Sequence, residues 1–312
     1  MTSPITIAIV SHNTCTHLRA CLDTIQAEVP NQVIVVDNAS SDGSVEMVRA
    51  RYPSVTLHVN KKNIGYGAAA NQALASCTDK YVLLLNSDTL LQPGALQALS
   101  GYLDQHARAA IVGPRLVKPD GTLQASSYPF PTPLDTFLEN STFAIHLGRF
   151  IRCHVPVVRG FYLRTWPHTD ARVVPWLKGA ALAIRREAFE AVGGFDESFF
   201  MYFEDADLCY RLMAAGWEIY FAPVTTVVHV GGASSMQRRS EMTVHLFGST
   251  VRFYQRHSSG LQLAEAIIII KFLNLAKWIS GTLRLFTTRD ASKRSSIGEE
   301  IAASRCVLRS HW

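Results

Sequence analysis

The sequence predicts an α/β fold with a mostly parallel central sheet, flanking helices and a C-terminal amphipathic helical tail. The first hundred residues alternate short β-rich apolar runs with helical patterns, which is typical of βαβ units. The run at residues 81–85 is apolar throughout, as in strands that are buried on both faces. With 312 residues, of which 48% are hydrophobic and 18% charged, the chain can bury a large core and is not a disordered segment.

The predicted elements follow one another in a regular order. Strands are predicted over residues 5–10, 33–36, 55–59 and 81–85, with helices over 17–28, 44–52 and 68–76 between them. From residue 113 to about 174, prolines and aromatic residues occur without a sustained period, which indicates a long loop or lid. Regular structure resumes with an apolar strand over 174–184 and helices over 186–192 and 204–215, the last ending at Gly216.

Charge is unevenly distributed along the chain. Residues 235–312 carry 12 lysines and arginines against 5 acidic residues, whereas residues 1–234 carry 18 against 20. A near-neutral body with a basic tail favours an anionic surface as partner and not a nucleic acid, for which we would expect a basic recognition domain. The six scattered cysteines and the absence of a signal-peptide pattern at the start predict a reducing, cytoplasmic location.

Polar residues follow three of the predicted strands. Ser11 and Asn13 come after the first strand, Asp37 and Asn38 after the second, and residues 86–88 after the fourth. In open α/β sheets, ligands bind beyond the carboxyl ends of the strands, so we expect these residues to share one crevice. For each motif alone, turn or helix-cap chemistry is the alternative interpretation.

Two of these strand-end carboxylates suit particular ligands. Asp37 could accept a hydrogen bond from a ring N–H of a bound pyrimidine. Asp88 could bind a divalent cation, which usually completes its ligand shell with substrate phosphates.

A third acidic group stands beside an aromatic run. Glu204, Asp205 and Asp207 fall within four positions, and Asp207 can pair with Arg211 one helical turn later. Glu204 and Asp205 then have no obvious local partner, so they could face a cation, act as a base or pair with another group. The alternative is that they form a solvated helix start, which the helix dipole favours. His229 ends another predicted strand, where the ligand and structural interpretations are evenly balanced.

Taken in order, these motifs resemble the family 2 glycosyltransferases of the GT-A fold, a Rossmann-like architecture, and within them the bacterial rhamnosyltransferase-like branch. The resemblance covers residues 5 to about 234. Its most specific parts are residues 176–180, 193–197, 204–211 and 216–217, and residues 37–44, 63–67 and Asn71 extend it.

The resemblance implies a role for each motif. A donor nucleotide-sugar would lie across the N-terminal strands, in contact with Ser11, Asn13, Asp37, Asn38, Asp42, Asn63, Gly65, Asn71, Asn86 and Ser87. Asp205 falls where the family places its general base, and Trp176, Gly179, Ala180 and Glu204 fall on the acceptor side. Asp88 matches the metal-binding carboxylate of the family's D-x-D motif, in which Asn86 replaces the first Asp. His229 matches a position that contacts the metal or the diphosphate.

These roles predict an inverting glycosyltransferase that moves L-rhamnose from dTDP-rhamnose to a hydroxyl of a cell-surface polysaccharide or a lipid-linked glycan, such as one carried on a polyprenyl diphosphate. A divalent cation, Mn²⁺ or Mg²⁺, would assist departure of the diphosphate. The proline- and aromatic-rich stretch 122–170 would shape or cover the acceptor pocket. The alternatives are the same fold with another donor, such as a UDP-hexose, a nucleotide-binding scaffold without turnover, or a nucleotidyltransferase, whose triphosphate loop we do not find.

The predicted domains are 1–234, with a nucleotide-sugar half up to 112 and an acceptor half from 113, and a basic tail, 235–312. A helix over 261–288 would lie on the cytoplasmic face of the cell membrane. Its apolar stripe comprises Ile268, Phe272, Leu275, Ile279, Leu283 and Phe286, and the opposite side comprises Asn274, Lys277, Gly281, Arg284 and Thr288. Lys271, Lys277 and Arg284 disfavour a spanning helix. The alternative is that the stripe packs on protein.

Overall fold

The computed structural model describes residues 3–28, 30–141, 166–234 and 239–312, which form two compact units. The first unit contains the described residues up to Phe130 together with 166–200 and 204–234. The second contains 131–141, 201–203 and 239–312. The predicted domain limit at residue 234 stays a prediction.

A ten-stranded sheet forms the centre of the first unit, with strand order β3-β2-β1-β4-β11-β6-β12-β5. Strands β7 and β9 pair with β6 and β12 at its margins, and β8 and β10 form a separate two-stranded sheet. The strands are β1 (Ile5–Ser11), β2 (Gln32–Asp37), β3 (Thr56–Val59), β4 (Tyr81–Asn86), β5 (Thr89–Leu91), β6 (Ala109–Val117), β7 (Leu123–Gln124), β8 (Ser127–Tyr128), β9 (Arg172–Val173), β10 (Trp176–Leu177), β11 (Ala181–Arg185) and β12 (Glu218–His229). The sheet is mixed, because β11 runs antiparallel to both of its neighbours, whereas β1 to β4 are parallel.

Helices cover both faces of this sheet. The helices of the described residues are α1 (Cys15–Gln26), α2 (Ser44–Arg51), α3 (Tyr66–Ala75), α4 (Ala95–Gln105), α5 (Pro133–Asn140), α6 (Arg186–Ala191), α7 (Glu204–Ala214), α8 (Arg239–His257), α9 (Gly260–Thr287) and α10 (Ala291–Arg309). One core lies under α1, α2 and α4, and the other lies under α3, α6 and α7. The GT-A-like α/β layering predicted from the sequence is therefore present.

The register of the parallel strands brings three of the predicted polar motifs together. Ser11 pairs with Asp37, and Val10 pairs with Asn86, so β1, β2 and β4 end at the same level. The polar motifs therefore lie at one edge of the sheet, and their sharing of a ligand-binding crevice stays a prediction.

The single strand predicted over residues 174–184 is wrong. Two strands, β10 and β11, replace it, with Pro175 just before β10 and a turn at Lys178 to Ala180 between them. Proline has no N–H to donate to a ladder, and the Gly179 N–H donates to a side chain instead of a neighbouring strand.

The predicted loss of regular structure from residue 113 is also wrong in two places. Strand β6 continues through Gly113 to Val117, where it pairs in parallel with β12. Helix α5 begins after Thr132, whose hydroxyl accepts the Asp135 N–H in a capping box, with Pro133 in the first turn. The signal was present, because Thr-Pro-x-Asp is a helix-start pattern. Residues 142–165, about half of the predicted lid over 122–170, lie outside the described residues.

The predicted tail helix is confirmed as α9, which packs on α5, α8 and α10 in the second unit. Its buried side includes Ala266, Ile270 and Asn274. Lys271 donates from Nζ to the carbonyl oxygens of Val307, Leu308 and Ser310 at 2.8–2.9 Å, so it caps the end of α10.

The predicted ion pair on α7 is confirmed. Arg211 lies 2.7 Å from the fully buried Asp207, and its other nitrogens donate to the carbonyl oxygens of Val192 and Gly194. The pair therefore fixes the turn between α6 and α7 as well as the helix.

We expect Asp207→Asn to lower the free energy of unfolding by about 1.5–3 kcal/mol, because it weakens a charge-assisted hydrogen bond of Arg211 in a buried setting. Urea unfolding measures the loss. The control is Glu190→Gln, which breaks the exposed Arg186–Glu190 pair and should cost about 0–1 kcal/mol. Equal losses in the two variants would contradict the structural role of Asp207.

Candidate functional site

Asn38, at the end of β2, connects this strand to the loop before α3. Its Nδ2 donates to Asn63 Oδ1 at 2.8 Å and to the Gly65 carbonyl at 3.1 Å. Its Oδ1 accepts the Ile64 N–H at 3.1 Å. All of these residues belong to the predicted donor side, and the structure brings them together.

Gly65 has a backbone that favours glycine. Its φ is +92°, and a Cβ built there would lie 2.6 Å from the carbonyl oxygen of Phe200. The next residue, Tyr66, donates its N–H to the same oxygen at 2.9 Å. Close backbone packing therefore fixes the loop at residues 63–67.

The two aspartates after β2 have different surroundings. Asp37 accepts the Ser40 N–H through Oδ1, whereas its buried Oδ2 has no hydrogen-bond partner in the described part of the chain. Asp42 is bonded to Ser44 and to the Cys15 N–H. Partial burial raises the pKa of Asp42, but these hydrogen bonds outweigh it, and the pKa falls below its usual value. Asp42 thus supports the loop, whereas the role of Asp37 in binding a base stays a prediction.

A chain of hydroxyl groups joins the ends of β1 and β4. Thr14 Oγ1 lies 3.0 Å from Ser11 Oγ and 2.8 Å from Ser87 Oγ, and all three residues are buried. Asn13, with φ of 52°, accepts the Ser41 N–H through Oδ1. Thr14 was not identified from the sequence. Its position just before helix α1 was the signal that could have drawn attention to it.

Asn71 uses its amide within the protein. Its Nδ2 donates to the Phe195 carbonyl and to Glu197, and its Oδ1 accepts the Phe195 N–H at 2.9 Å. The structure therefore places Asn71 at the turn before residues 196–200. Its role in donor binding stays a prediction.

Asp88 and His229 come together as predicted, in the place of the metal motif. His229 Nε2 lies 3.3 Å from Asp88 Oδ1 and 3.4 Å from Asn86 Nδ2. Its Nδ1 lies 2.7 Å from Gln124 Oε1, an atom that can only accept. Nδ1 therefore donates this hydrogen bond, and Nε2 faces Asp88 and Asn86.

The surroundings of Asp88 favour its charged form. Burial raises its pKa, but the hydrogen bond and charge of His229 and the backbone N–H groups of Ala233 and Gly231 lower it below the usual value. Among the described residues, no cluster of three or more His, Cys, Asp or Glu side chains could hold a metal. This pair offers one oxygen and one nitrogen donor.

Asp205, the candidate base, lies in the first turn of α7. Its Oδ2 accepts the Gly179 N–H at 2.8 Å, and its Oδ1 accepts the Ala206 N–H at 2.8 Å. Burial raises its pKa above the usual value, although these hydrogen bonds, the charge of Lys178 and the Trp176 side chain oppose the shift.

Glu204 is the less solvated of the two acids. Its Oε2 is buried without a hydrogen-bond partner among the described residues. Burial, reinforced by the charge of Asp205, raises the pKa of Glu204 well above its ordinary value. Glu204 is therefore the member of the pair that retains its proton when Asp205 is ionised.

Tyr66 connects the donor-side loop to Asp205. Its hydroxyl donates to the Gly179 carbonyl oxygen at 3.1 Å, while the Gly179 N–H donates to Asp205. Burial and the nearby charges of Glu204, Asp205 and Asp88 raise the pKa of Tyr66, so the phenol stays neutral. Tyr66 and Gln124 are two contacts that sequence reasoning missed. Tyr66 lay inside a noted motif, whereas Gln124 lay in the stretch read as irregular.

Comparison with known proteins identifies related sequences. Residues 3–248 match the family described as glycosyltransferase like family 2. The chain is 32% identical over 272 residues to the N-acetylglucosaminyl-diphospho-decaprenol L-rhamnosyltransferase of Mycobacterium tuberculosis H37Rv, covering 83% of this chain and 86% of that protein. It is 25% identical over 232 residues to rhamnosyltransferase WbbL of Escherichia coli K12, covering 72% and 82%.

Solved structures share the fold. The mannosyltransferase PcManGT from Pyrobaculum calidifontis, in complex with GDP-Man and Mn²⁺, superposes with a TM-score of 0.53 at 18% identity, over 99% of this chain and 87% of that one. GalNAc-T7 with UDP, GalNAc and Mn²⁺ gives a TM-score of 0.55 at 14% identity, over 73% of this chain and 43% of that one. The GT-A fold is confirmed by these likenesses.

We expect Glu204→Gln to remove part of a pH dependence of stability. Between the pKa of Glu204 in the unfolded chain, near 4.5, and its raised pKa in the folded protein, only the folded protein holds this proton. The free energy of unfolding therefore falls as pH rises through this window. In the variant the fall should be smaller, and the variant should be more stable than the parent at pH 8. Urea unfolding from pH 4.5 to 8 measures it, with the exposed Glu187→Gln as control; parallel curves for parent and variant would contradict the assignment.

Proposed function

We propose that this chain, which belongs to glycosyltransferase family 2, is an inverting transferase that moves L-rhamnose from dTDP-rhamnose to a hydroxyl of a lipid-linked glycan. The observation that carries this proposal is the position of Asp205, a buried carboxylate held by the Gly179 peptide and joined through Tyr66 to the donor-side loop. The names of the relatives, rhamnosyltransferases in both cases reported above, support the sugar. The acceptor named for the mycobacterial relative supports a lipid-linked glycan.

The donor would lie across the ends of β1, β2 and β4. Asp37 Oδ2, a buried acceptor without a partner in the described chain, supports contact with a ring N–H of the base. Thymine and uracil present the same ring N–H. A UDP-hexose donor is therefore the second candidate.

Asp205 would act as the general base. As the acceptor hydroxyl oxygen attacks the anomeric carbon, Asp205 takes its proton, the bond from that carbon to the diphosphate oxygen breaks, and the nucleoside diphosphate leaves. A single displacement inverts the anomeric centre. The raised pKa of Asp205 would make it a stronger base than an ordinary aspartate.

Asp88 and His229 would hold a divalent cation. The donor set fits, because a carboxylate is a ligand that Mn²⁺ prefers and an imidazole whose Nδ1 is held by Gln124 can offer Nε2 as a second donor. When bound, a divalent cation neutralises charge on the departing diphosphate. With two protein donors, most of its ligand shell would come from substrate and water.

The sharpest test of the donor is to incubate the purified full-length chain with a panel of nucleotide sugars. Release of free nucleoside diphosphate identifies the donor that is slowly hydrolysed without an acceptor. We expect dTDP-rhamnose to be turned over fastest. Preference for a UDP-hexose would replace the proposed sugar, and binding of every donor without hydrolysis or transfer would indicate a scaffold.

We expect Asp205→Asn to reduce kcat for transfer by about 10²- to 10⁴-fold, because the amide cannot take the acceptor proton. Donor affinity, measured by calorimetry, should change little, since the proposed role of Asp205 is to act on the acceptor hydroxyl. Asp207→Asn, in the same helix, serves as control and should act on stability and not on kcat. Transfer near the parent rate by a folded Asp205→Asn protein would exclude the base assignment.

We expect turnover to require a divalent cation, with Mn²⁺ at least as effective as Mg²⁺, because nitrogen ligands favour manganese. Excess chelator should abolish transfer. Asp88→Ala should weaken nucleotide binding in the presence of the metal but not in its absence. Full activity in chelator would remove the cation from the mechanism.

We also propose that α9 docks the second unit on an anionic membrane surface at the inner face of the cell membrane. The predicted apolar stripe is exposed, with Ile268 67%, Phe272 61% and Phe286 85% accessible. Among the described residues, α9 is the helix that is long and apolar enough to cross a membrane, a criterion that core helices also meet. Its buried side packs on α10, which supports a helix lying on the surface over one that spans.

The polar side of α9 is different from the expected one. Asn274 and Gly281 are buried against protein, and Gly281 lies beside Ile301 of α10. Lys271 caps α10 and Arg284 lies 3.4 Å from Glu300, so these charges leave the stripe uninterrupted. Exposed Arg289 and Lys293 follow the stripe, where they could attract anionic lipid.

We expect the full chain to sediment with vesicles of anionic lipid at low salt and to be released from them by high salt. The triple variant Phe272→Ser/Leu283→Ser/Phe286→Ser should stay in solution, because it removes the large side chains that would enter the lipid. The control replaces Thr282 and Ala302, which are outside the stripe, by Ser. Equal recovery of parent and triple variant in the soluble fraction would reject the membrane surface and leave a second protein as the partner of the stripe.

A further inference from the structure

Gln124 reaches the candidate cation site from the two-residue strand β7. This strand pairs antiparallel with β6, so that Gln124 lies opposite Leu116, and Leu116 pairs in parallel with Val227 of β12. Residues paired across neighbouring strands share a face of the sheet, and His229, two residues after Val227, shares it as well. Gln124 and His229 therefore approach each other across β6.

A closed turn sets the register of β7. Lys118 donates its N–H to the Thr122 carbonyl oxygen at 2.8 Å, and Gly121 donates to the Lys118 carbonyl oxygen at 2.8 Å. Asp120 accepts the Thr122 N–H at 2.9 Å and the Thr122 hydroxyl at 2.6 Å, while Gly121 supplies a φ of +80°. These bonds close the hairpin, and none of them uses the Gln124 side chain.

The Gln124 side chain contacts both halves of the Asp88–His229 pair. Its Oε1 accepts from His229 Nδ1 at 2.7 Å. On its other side, a Cβ built on Gly231 would lie 3.3 Å from Gln124 Nε2, so the amide lies close beside this glycine. The Gly231 N–H in turn donates to Asp88 Oδ2 at 3.0 Å. One amide group therefore touches one candidate ligand and the residue that holds the other.

The orientation of the His229 ring decides whether it can bind a cation. An imidazole that gives Nε2 to a cation carries its proton on Nδ1, and a partner that accepts from Nδ1 fixes the ring in this form. Gln124 Oε1 is such a partner, because an amide oxygen accepts and does not donate. With Nδ1 bonded in this way, Nε2 lies 3.3 Å from Asp88 Oδ1. The nitrogen that would bind the cation is therefore turned toward the other candidate ligand.

The range of this bond distinguishes it from a contact that only stabilises the hairpin. Among the described residues, the hydrogen bond of the Gln124 side chain goes to His229, which lies 105 residues later in the chain. His229 is 2% exposed, so its ring depends on protein partners and not on water. The Gln124 side chain thus serves the site and not the hairpin.

We propose that Gln124 is a positioning residue that holds the His229 ring with Nε2 toward the cation and so favours Mn²⁺ over Mg²⁺. Mg²⁺ is a hard cation that takes oxygen ligands and water, whereas sites with nitrogen donors also bind the transition metals, of which Mn²⁺ is one. Gln124 acts through His229 and is not itself a ligand. The inference rests on the proposed function, which supplies the cation.

The test is calorimetric titration of the full-length protein with dTDP and with UDP, each as its Mn²⁺ complex, as its Mg²⁺ complex and in chelator. Gln124→Met keeps the length of the side chain but removes the acceptor. It should weaken binding of the Mn²⁺ complex by about 10- to 100-fold, the range for loss of a group that orients a metal ligand. Binding of the Mg²⁺ complex should weaken less, and binding in chelator should stay the same. The matched control is Gln97→Met, at an exposed glutamine of α4, which should change none of these affinities.

A double-mutant cycle with His229→Ala shows whether Gln124 acts through the ring. His229→Ala should weaken binding of the Mn²⁺ complex, and Gln124→Met added to it should have no further effect. Equal losses from Gln124→Met in the parent and in the His229→Ala background would show that the substitution only loosens the hairpin, and would overturn the proposal.

The proposal is also overturned if Gln124→Met, with the parent melting temperature, binds the Mn²⁺ complexes as tightly as the parent. The same holds if the parent binds neither nucleotide more tightly with Mn²⁺ than in chelator. Should Gln124→Met fail to fold, Gln124→Asn, whose shorter side chain withdraws the oxygen from Nδ1, gives the same comparison.

The titrations need no turnover, so the proposal and the proposed function can fail separately. A chain that binds a Mn²⁺–nucleotide complex through Gln124 and His229 but transfers no rhamnose would contradict the proposed function alone. Rhamnose transfer that persists in excess chelator, with no effect of Mn²⁺ on nucleotide affinity, would overturn the role of Gln124 and leave the transfer intact.

Discussion

The candidate site depends on the register of three parallel strands. Because β1 lies between β2 and β4, with Ser11 opposite Asp37 and Val10 opposite Asn86, the residues that follow each strand emerge at one level. A slip of one residue would turn every side chain of a strand to the other face of the sheet and separate these groups. The near-complete burial of β1 and β4 restricts the register, since a slip would draw the polar residues that follow each strand into the apolar interior.

One residue, Gly179, links the donor-side loop to the candidate base. Gly179 receives the Tyr66 hydroxyl at its carbonyl oxygen and gives its N–H to Asp205. A residue in a regular strand would use these atoms in the ladder. The interruption of the strand after Leu177 therefore frees the peptide to hold the carboxylate, and the irregular backbone is part of the site.

How much of the site could be predicted from the sequence depends on how far apart along the chain the interacting residues lie. Strand ends, the acidic α7 start and the Asp207–Arg211 pair were predictable because they depend on local order and spacing. Gln124 and Thr14 were not, because each acts through a partner brought close by the fold, His229 from 105 residues away and Ser87 from 73. The break in the predicted strand over 174–184 was missed, because the sequence shows that the run is apolar but does not show which groups its peptide N–H and carbonyl groups bond. The capping box before α5, by contrast, was a local signal that the surrounding prolines and aromatic residues obscured.

The charged residues of α9 show why composition alone misjudges a helix face. Along the sequence, Lys271, Lys277 and Arg284 interrupt an apolar segment and suggest a solvated basic side. In the fold, Lys271 satisfies carbonyl groups at the end of α10 and Lys277 Nζ lies 5.6 Å from the centre of the Phe247 ring, so both are used inside the second unit. Their positive charges compensate helix-end dipoles and contact aromatic surface there. The exposed face of α9 is then almost wholly apolar, which costs free energy in water and is accounted for only if another phase or molecule covers it.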